Sequence, residues 1–164
     1  MIPTKILVSA CLLGQRVRYN ASAKPLTHVL LDRWIEEGRV VPVCPEVMAG
    51  MSTPRPPAEI APGESAAEIL RGKGRIVEAD GNDVTDAYVS GARIALSEAI
   101  RHGCRYALLI DGSPSCGSGF VHDGTFAGRR VAGEGIAAAL LREHGIKVFS
   151  PRDISLLAQA LDPQ

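Results

Sequence analysis

The chain has 164 residues, 46% of them hydrophobic and 22% charged, and its eighteen basic residues balance eighteen acidic ones. That size and composition describe a soluble globular protein that buries its core without disulfide help, most simply as one domain spanning 1–164. Zero net charge excludes the whole-protein basic surplus of a nucleic-acid reader or a membrane-surface binder, so neither nucleic acid nor membrane is expected as a partner.

The opening residues, MIPTKILVSACLLG, lack the basic leader, long apolar stretch and small-residue cleavage site of a secretory signal. No stretch approaches the roughly 18 uninterrupted apolar residues of a membrane span. A cytoplasmic location is therefore expected, and thiols stay reduced there. The four cysteines do not read as a disulfide framework. Taken singly, each reads equally well as a small buried hydrophobe.

Lys5–Ser9 is a β-branched and aliphatic run that reads as a strand, ended by the Leu12-Leu13-Gly14 turn. Pro25 opens a helical pattern through Leu26, Val29, Leu30, Trp34 and Ile35, with Gly38 as its stop. Arg39–Val43 follows as a second short strand, and Pro42 within it predicts an edge position. Residues 45–74, rich in proline and glycine, predict an irregular excursion with a short helix near Ser65–Leu70. Excursions of this length in compact domains are more often functional than idle.

Arg75–Glu78 reads as a small strand. Asn82 or Asp83 then caps a long helix over Val84–His102, with Val84, Tyr88, Ala92, Ala95 and Ala99 along one face and Gly103 at its end. Tyr106–Ile110 is the third strong strand, running into the loop DGSPSCGSG. The glycine-rich stretch 120–135 has no clear assignment. Gly135–His144 reads as a helix and Lys147–Phe149 as a strand; Ser150 caps a last helix with Pro151 at its first position. Strands alternating with helices predict an α/β fold. The expected sheet is parallel, of about four to five strands, with helices on both faces in the Rossmann or flavodoxin manner.

In such sheets ligands bind beyond the carboxyl ends of the strands. Cys11 in SACLLG, Cys44 in VCPE and Cys116 in SPSCG each lie at or just past such an end, whereas Cys104 lies before the third strand. Topology thus separates the cysteines into three plus one. Three converging thiolates suit a soft metal ion or an iron–sulfur cluster. Their dispersed spacing matches neither ferredoxin clustering nor the paired motifs of a zinc ribbon. The alternatives are three unrelated buried thiols, a structural metal-binding module, and a cysteine-nucleophile enzyme activated by His28, His102, His122 or His144. A phosphatase loop does not fit, because Arg16 and Arg18 fall on either side of the spacing that lets a guanidinium close round a phosphate.

Glu46, two residues after Cys44, is a candidate for moving protons beside such a site. Ser113 and Ser115 flank Pro114 and are candidate hydrogen-bond donors to cluster sulfur or substrate. The amides of 115–119 are a candidate anion nest.

Taken together, SACLLG, VRYN, CPE with downstream TPRPPAEI, SPSCG and DGTFAG resemble, in order and character, the DUF523 family of small bacterial proteins that includes thiouracil desulfidases. The resemblance runs from about residue 5 to residue 145. It implies a [4Fe-4S] cluster with three cysteine ligands, falling on Cys11, Cys44 and Cys116, and catalytic roles for Glu46 and Ser113. It implies a small thionucleobase substrate. Arg18, Tyr19, Asn20 and Ser115 are candidate substrate-side groups, the first three reading equally as ordinary loop residues, and a monomer or weak homo-oligomer is expected. Two departures from the family pattern bear on substrate preference: Asn20-Ala21 stands where the family often has Asp-Gly, and Ala49-Gly50 where it often has a glycine pair. Both segments are expected to line the pocket.

Overall fold

The structure, a computed structural model, describes residues 3–162. In chain order the elements begin with β1 (Ile6–Ser9), α1 (Val29–Glu36), β2 (Val40–Val43), α2 (Pro45–Met48) and β3 (Ala58–Ile60). Then come α3 (Ala66–Leu70), β4 (Ile76–Glu78), α4 (Thr85–Arg101), β5 (Tyr106–Leu108) and β6 (Phe120–His122). The chain closes with β7 (Arg130–Ala132), α5 (Ile136–Glu143), β8 (Lys147–Phe149) and α6 (Ile154–Leu161). Single 3-10 turns occupy Ala10–Leu13 and Pro151–Asp153.

Four strands form a parallel sheet in the order β2-β1-β5-β8. β1 is central and all four of its residues are buried, which is why it reads as a continuous apolar run and not as an alternating one. β2 is an edge strand, as Pro42 predicts. Going from β1 to β2 the chain moves one way across the sheet; from β2 it crosses back over β1 to β5 and on to β8. Right-handed crossovers then put α1 on one face and α4 and α5 on the other. The strand order therefore reverses at β1, and a crevice opens between the carboxyl ends of β1 and β5.

Two small antiparallel pairs lie outside this sheet, β3 with β4 and β6 with β7. The second pair comes from the stretch that the sequence leaves unassigned. Its three-residue strands are too short for a period-2 signal, and they are defined by pairing with one another across the glycine-containing loop 123–129 and by a bridge from Val121 to Gly112.

Several boundaries differ from the periodicity. α1 begins at Val29, not at Pro25, because Lys24 and Leu26 donate backbone hydrogen bonds to Cys11 and Leu12 at 3.1 and 2.9 Å. His28 then caps the helix by accepting from the Leu30 amide at 3.1 Å. The third strand stops at Leu108: Ile110 turns its amide to Ser9 Oγ at 3.0 Å, a side-chain substitute for a ladder bond. At the C-terminal end, Pro151 opens a 3-10 turn and α6 starts three residues later.

α4 packs along α5 and against α2. Its buried face is Tyr88, Gly91, Ala92, Ala95 and Ala99, and α5 answers with Ala137, Ala138 and Ala139. Small residues on both sides let the helices approach closely. At Gly91 α4 meets the first residue of α2: a Cβ there would lie 2.5 Å from the Pro45 carbonyl oxygen. Backbone on both sides leaves no soft atom to move. Gly91→Ala is therefore expected to destabilise the protein by about 1–3 kcal/mol, as overpacking does, in a urea titration followed by circular dichroism.

Candidate active site

The crevice at the strand reversal is a cleft of about 450 Å3, within the range of small-molecule sites. Three loops from three strand ends form its floor. Ser9 pairs in register with Val43, so the turn after β1 and the start of α2 leave the sheet side by side. Cys11 on the first and Cys44 on the second line the cleft, and Cys116 reaches it from the loop after β5. Cys104 does not; it is buried at the opposite end of β5, and burial pushes its thiol up to about 11.

The cleft thiols are near enough to feel one another. Burial, then the proximity of Cys44, pushes Cys11 up to about 11. Burial also raises Cys44. Cys116 is raised well above the ordinary thiol range, through burial first, then the Glu46 carboxylate, against the adjacent Ser9 hydroxyl. Cys44 Sγ donates to the Val17 carbonyl at 3.9 Å. With no soft cation present, these groups are neutral thiols at pH 7, which is the wrong state for a nucleophile. A bound soft cation reverses the balance by stabilising all three thiolates together. Among the described residues no three His, Cys, Asp or Glu side chains are grouped to hold a metal ion. Ligands of one tetrahedral zinc at about 2.3 Å would crowd together. Three thiols lining one cleft are the soft donor type that an iron–sulfur group takes.

The acid is held from two sides. Glu46 sits in the first turn of α2, with its side chain 13% exposed, and pairs with the guanidinium of Arg55, which is 6% exposed. Its other oxygen, Oε1, accepts from Ser113 Oγ at 3.3 Å. Ser113 Oγ in turn accepts the amides of Ser115 and Cys116 at 3.0 and 3.2 Å. Two donors on the oxygen leave the hydroxyl proton free to point at Glu46. Tyr88, reaching in from α4, closes the back of this cluster; burial, then the Glu46 carboxylate, raises its phenol.

Of the residues the sequence singles out, Cys11, Cys44, Cys116, Glu46, Ser113, Arg18 and Tyr19 line one cleft. Asn20 and Ser115 do not. Asn20 is exposed and spends its side-chain oxygen on Ser22, whose amide donates at 3.2 Å. Ser115 is fully buried; its carbonyl accepts from Ala137 at 2.9 Å, and its hydroxyl is enclosed without a partner. Ala49 and Gly50 also lie outside the cleft lining. The anticipated amide nest is already filled, since Ser115, Cys116, Gly117 and Gly119 donate to Ser113 Oγ, Ser113 O or Asp111 Oδ1. Of the histidines only His122 reaches the cleft; His28 caps α1, His102 lies against Glu98, and His144 against Leu140.

Sequence reasoning misses Arg55, Glu59, Tyr88, Phe126 and Arg130 in the lining. Glu59 Oε1 accepts the Gly124 and Phe126 amides at 2.9 and 3.3 Å, tying the 123–128 turn over the cleft. The one available signal was Arg55 itself, a lone charge among the prolines of TPRPP.

The 2-thiouracil desulfurase family matches residues 6–153, and the chain belongs to that family. It is 41% identical over 150 residues to the uncharacterized protein YbbK of Bacillus subtilis (strain 168), covering 92% of this chain and 97% of the other. It superposes with a TM-score of 0.87 and 48% identity on the [4Fe-4S]-dependent thiouracil desulfidase TudS, covering 96% of this chain and 97% of that one.

Ser113→Ala removes the acceptor for two amides as well as the donor to Glu46. Chemical denaturation is expected to show a loss of about 1–3 kcal/mol, the cost of stranded polar groups. Asn20→Ala, on an exposed turn, is expected to change stability by less than about 0.5 kcal/mol.

Proposed function

We propose that this protein is an iron–sulfur-dependent, non-redox desulfidase that removes sulfur from 2-thiouracil or a related thionucleobase, giving uracil and hydrogen sulfide. The observation that carries the reading is the meeting of three thiols, a carboxylate and a serine hydroxyl in one cleft. Cys11, Cys44 and Cys116 are the ligands of a [4Fe-4S] cluster in this reading. When bound, the cluster supplies an iron without a protein thiolate, a thiophilic Lewis acid that polarises a C–S bond.

The reaction consumes one water: a C–O bond forms at the thiocarbonyl carbon, the C–S bond breaks, and no electrons are gained or lost. Glu46 accepts the proton of the attacking water and returns it as sulfur departs. Ser113, with its oxygen occupied by two backbone amides, donates to Glu46 Oε1 and so holds that oxygen in place for its proton transfer. Arg18 and Tyr19 form the substrate-side wall. Asn20 and Ser115 shape that wall and the loop behind it without touching substrate. The whole chain acts as one domain, in the cytoplasm, as a monomer or weak homo-oligomer. No helix among the described residues is long and apolar enough to cross a membrane.

Sulfide release from 2-thiouracil by anaerobically reconstituted protein is the deciding assay; cluster-loaded protein that yields no sulfide would remove the assignment. Changing Cys11, Cys44 or Cys116 to Ser is expected to abolish the broad iron–sulfur absorption, while Cys104→Ser keeps it. Equal loss at all four would refute the three-plus-one division. Glu46→Ala is expected to keep the absorption and lose turnover by about 100-fold or more, the scale of a general acid–base contribution.

A further inference from the structure

We propose that Arg55 is the positioning residue of the site, aiming one oxygen of Glu46 at Ser113 while tying the acid to the wall opposite. The inference rests on Glu46 as the proton carrier of the reading above and extends it to a residue outside the family motifs' thiols, acid and serine.

The geometry of the pair carries the argument. A guanidinium and a carboxylate that serve only to neutralise each other in a buried place do best as a fork, with two parallel hydrogen bonds. Here the pair is end-on. Arg55 Nη2 meets Glu46 Oε2 alone, and Arg55 Nε is buried without any hydrogen-bond partner. An unmade bond on a buried charged group costs free energy. What the end-on arrangement leaves free is Glu46 Oε1, the atom that accepts from Ser113 Oγ. The ion pair gives up its second bond and keeps the catalytic oxygen available.

The guanidinium is itself over-determined. Nη2 also donates to the Val17 carbonyl at 2.8 Å, and Nη1 donates to Ser52 O and Thr53 Oγ1, both at 3.2 Å. The Arg55 amide donates to the Tyr19 carbonyl at 2.7 Å. One residue thus joins the proline-rich excursion, the 17–19 wall and the acid on α2. Val17 O is also the acceptor of the Cys44 thiol. Lysine matches the charge but is a point donor; it lacks the planar set of donors that serves Glu46 and Val17 together.

The test compares Arg55→Met and Arg55→Lys with Glu46→Gln in cluster-loaded protein turning over 2-thiouracil. Arg55→Met is expected to lower kcat about 100-fold, the scale of a group misplaced by about 1 Å, with KM within about threefold of the parent. Arg55→Lys is expected to fall between, and both keep the iron–sulfur absorption. A crystal structure of Arg55→Met is expected to show Glu46 Oε1 out of its contact with Ser113 Oγ. Unchanged kcat in Arg55→Met, an unmoved Glu46 carboxylate, or loss of the absorption in both Arg55 variants each overturns the proposal. An active Glu46→Gln removes the proton-carrier reading itself; an inactive Glu46→Gln beside a fully active Arg55→Met removes only the role of Arg55.

Discussion

Everything at the site depends on β1 being paired in parallel on both sides. Its ladder with β2 runs from Ile6–Val40 to Ser9–Val43, and its ladder with β5 from Ile6–Tyr106 to Val8–Leu108. Parallel strands must end at the same edge, so the segments that follow all three emerge together. The reversal of strand order at β1 keeps crossover helices from covering that edge. Cys11, Cys44 and Cys116 meet because they are the second, first and eighth residues past three strands that end at one edge. A different strand order with the same residues would scatter them.

The helices behind the sheet hold those loops from outside. Gly91 lets α4 touch the backbone of Pro45, next to Cys44 and Glu46. Gly135 does the same for α5: a Cβ there would lie 2.4 Å from the Ser115 carbonyl oxygen, next to Cys116. Two of the three thiol-bearing loops are thus pressed against the start or flank of a helix with no side chain between. Such contacts explain why small residues dominate the α4 and α5 faces, and they make the cleft a stiff mould rather than a flexible one. Onto this mould the chain places groups that are costly to bury: three thiols raised by burial and a carboxylate met by a buried guanidinium. Without a cation the thiols stay neutral, and the acid keeps its own counter-charge. The two halves of the site still feel each other, because the Glu46 carboxylate adds to burial in raising all three thiols.

Much of this was legible in the chain before folding. The apolar runs at 6–9 and 106–110, the glycine stops at 38, 103 and 145, and the small-residue face of the long helix all survive in the structure. They survive because each is a local signal: turn chemistry and periodicity act within a few residues and need no partner. The same local logic marked three cysteines as strand-end residues and set Cys104 apart. It failed at Pro25, where hydrogen bonds from Lys24 and Leu26 to the turn after β1 override helix propensity. It failed again over 120–132, where three-residue strands are defined by tertiary pairing, with each other and with Gly112.

What the sequence alone determined is the list of strand ends and the chemistry waiting at each. Which of those side chains face one another was decided by tertiary structure. Glu46 and Ser113 touch across 67 residues, and Arg55 and Val17 across 38. Asn20 and Ser115 sit beside site residues in sequence yet turn away, one to cap its own loop and one into the interior. Arg55, amid prolines with no periodicity, became the partner of the acid. Local order needs only neighbouring residues, but a site needs loops from distant strands. Their meeting is fixed by the parallel register and strand order of the folded sheet, which no single stretch of sequence encodes.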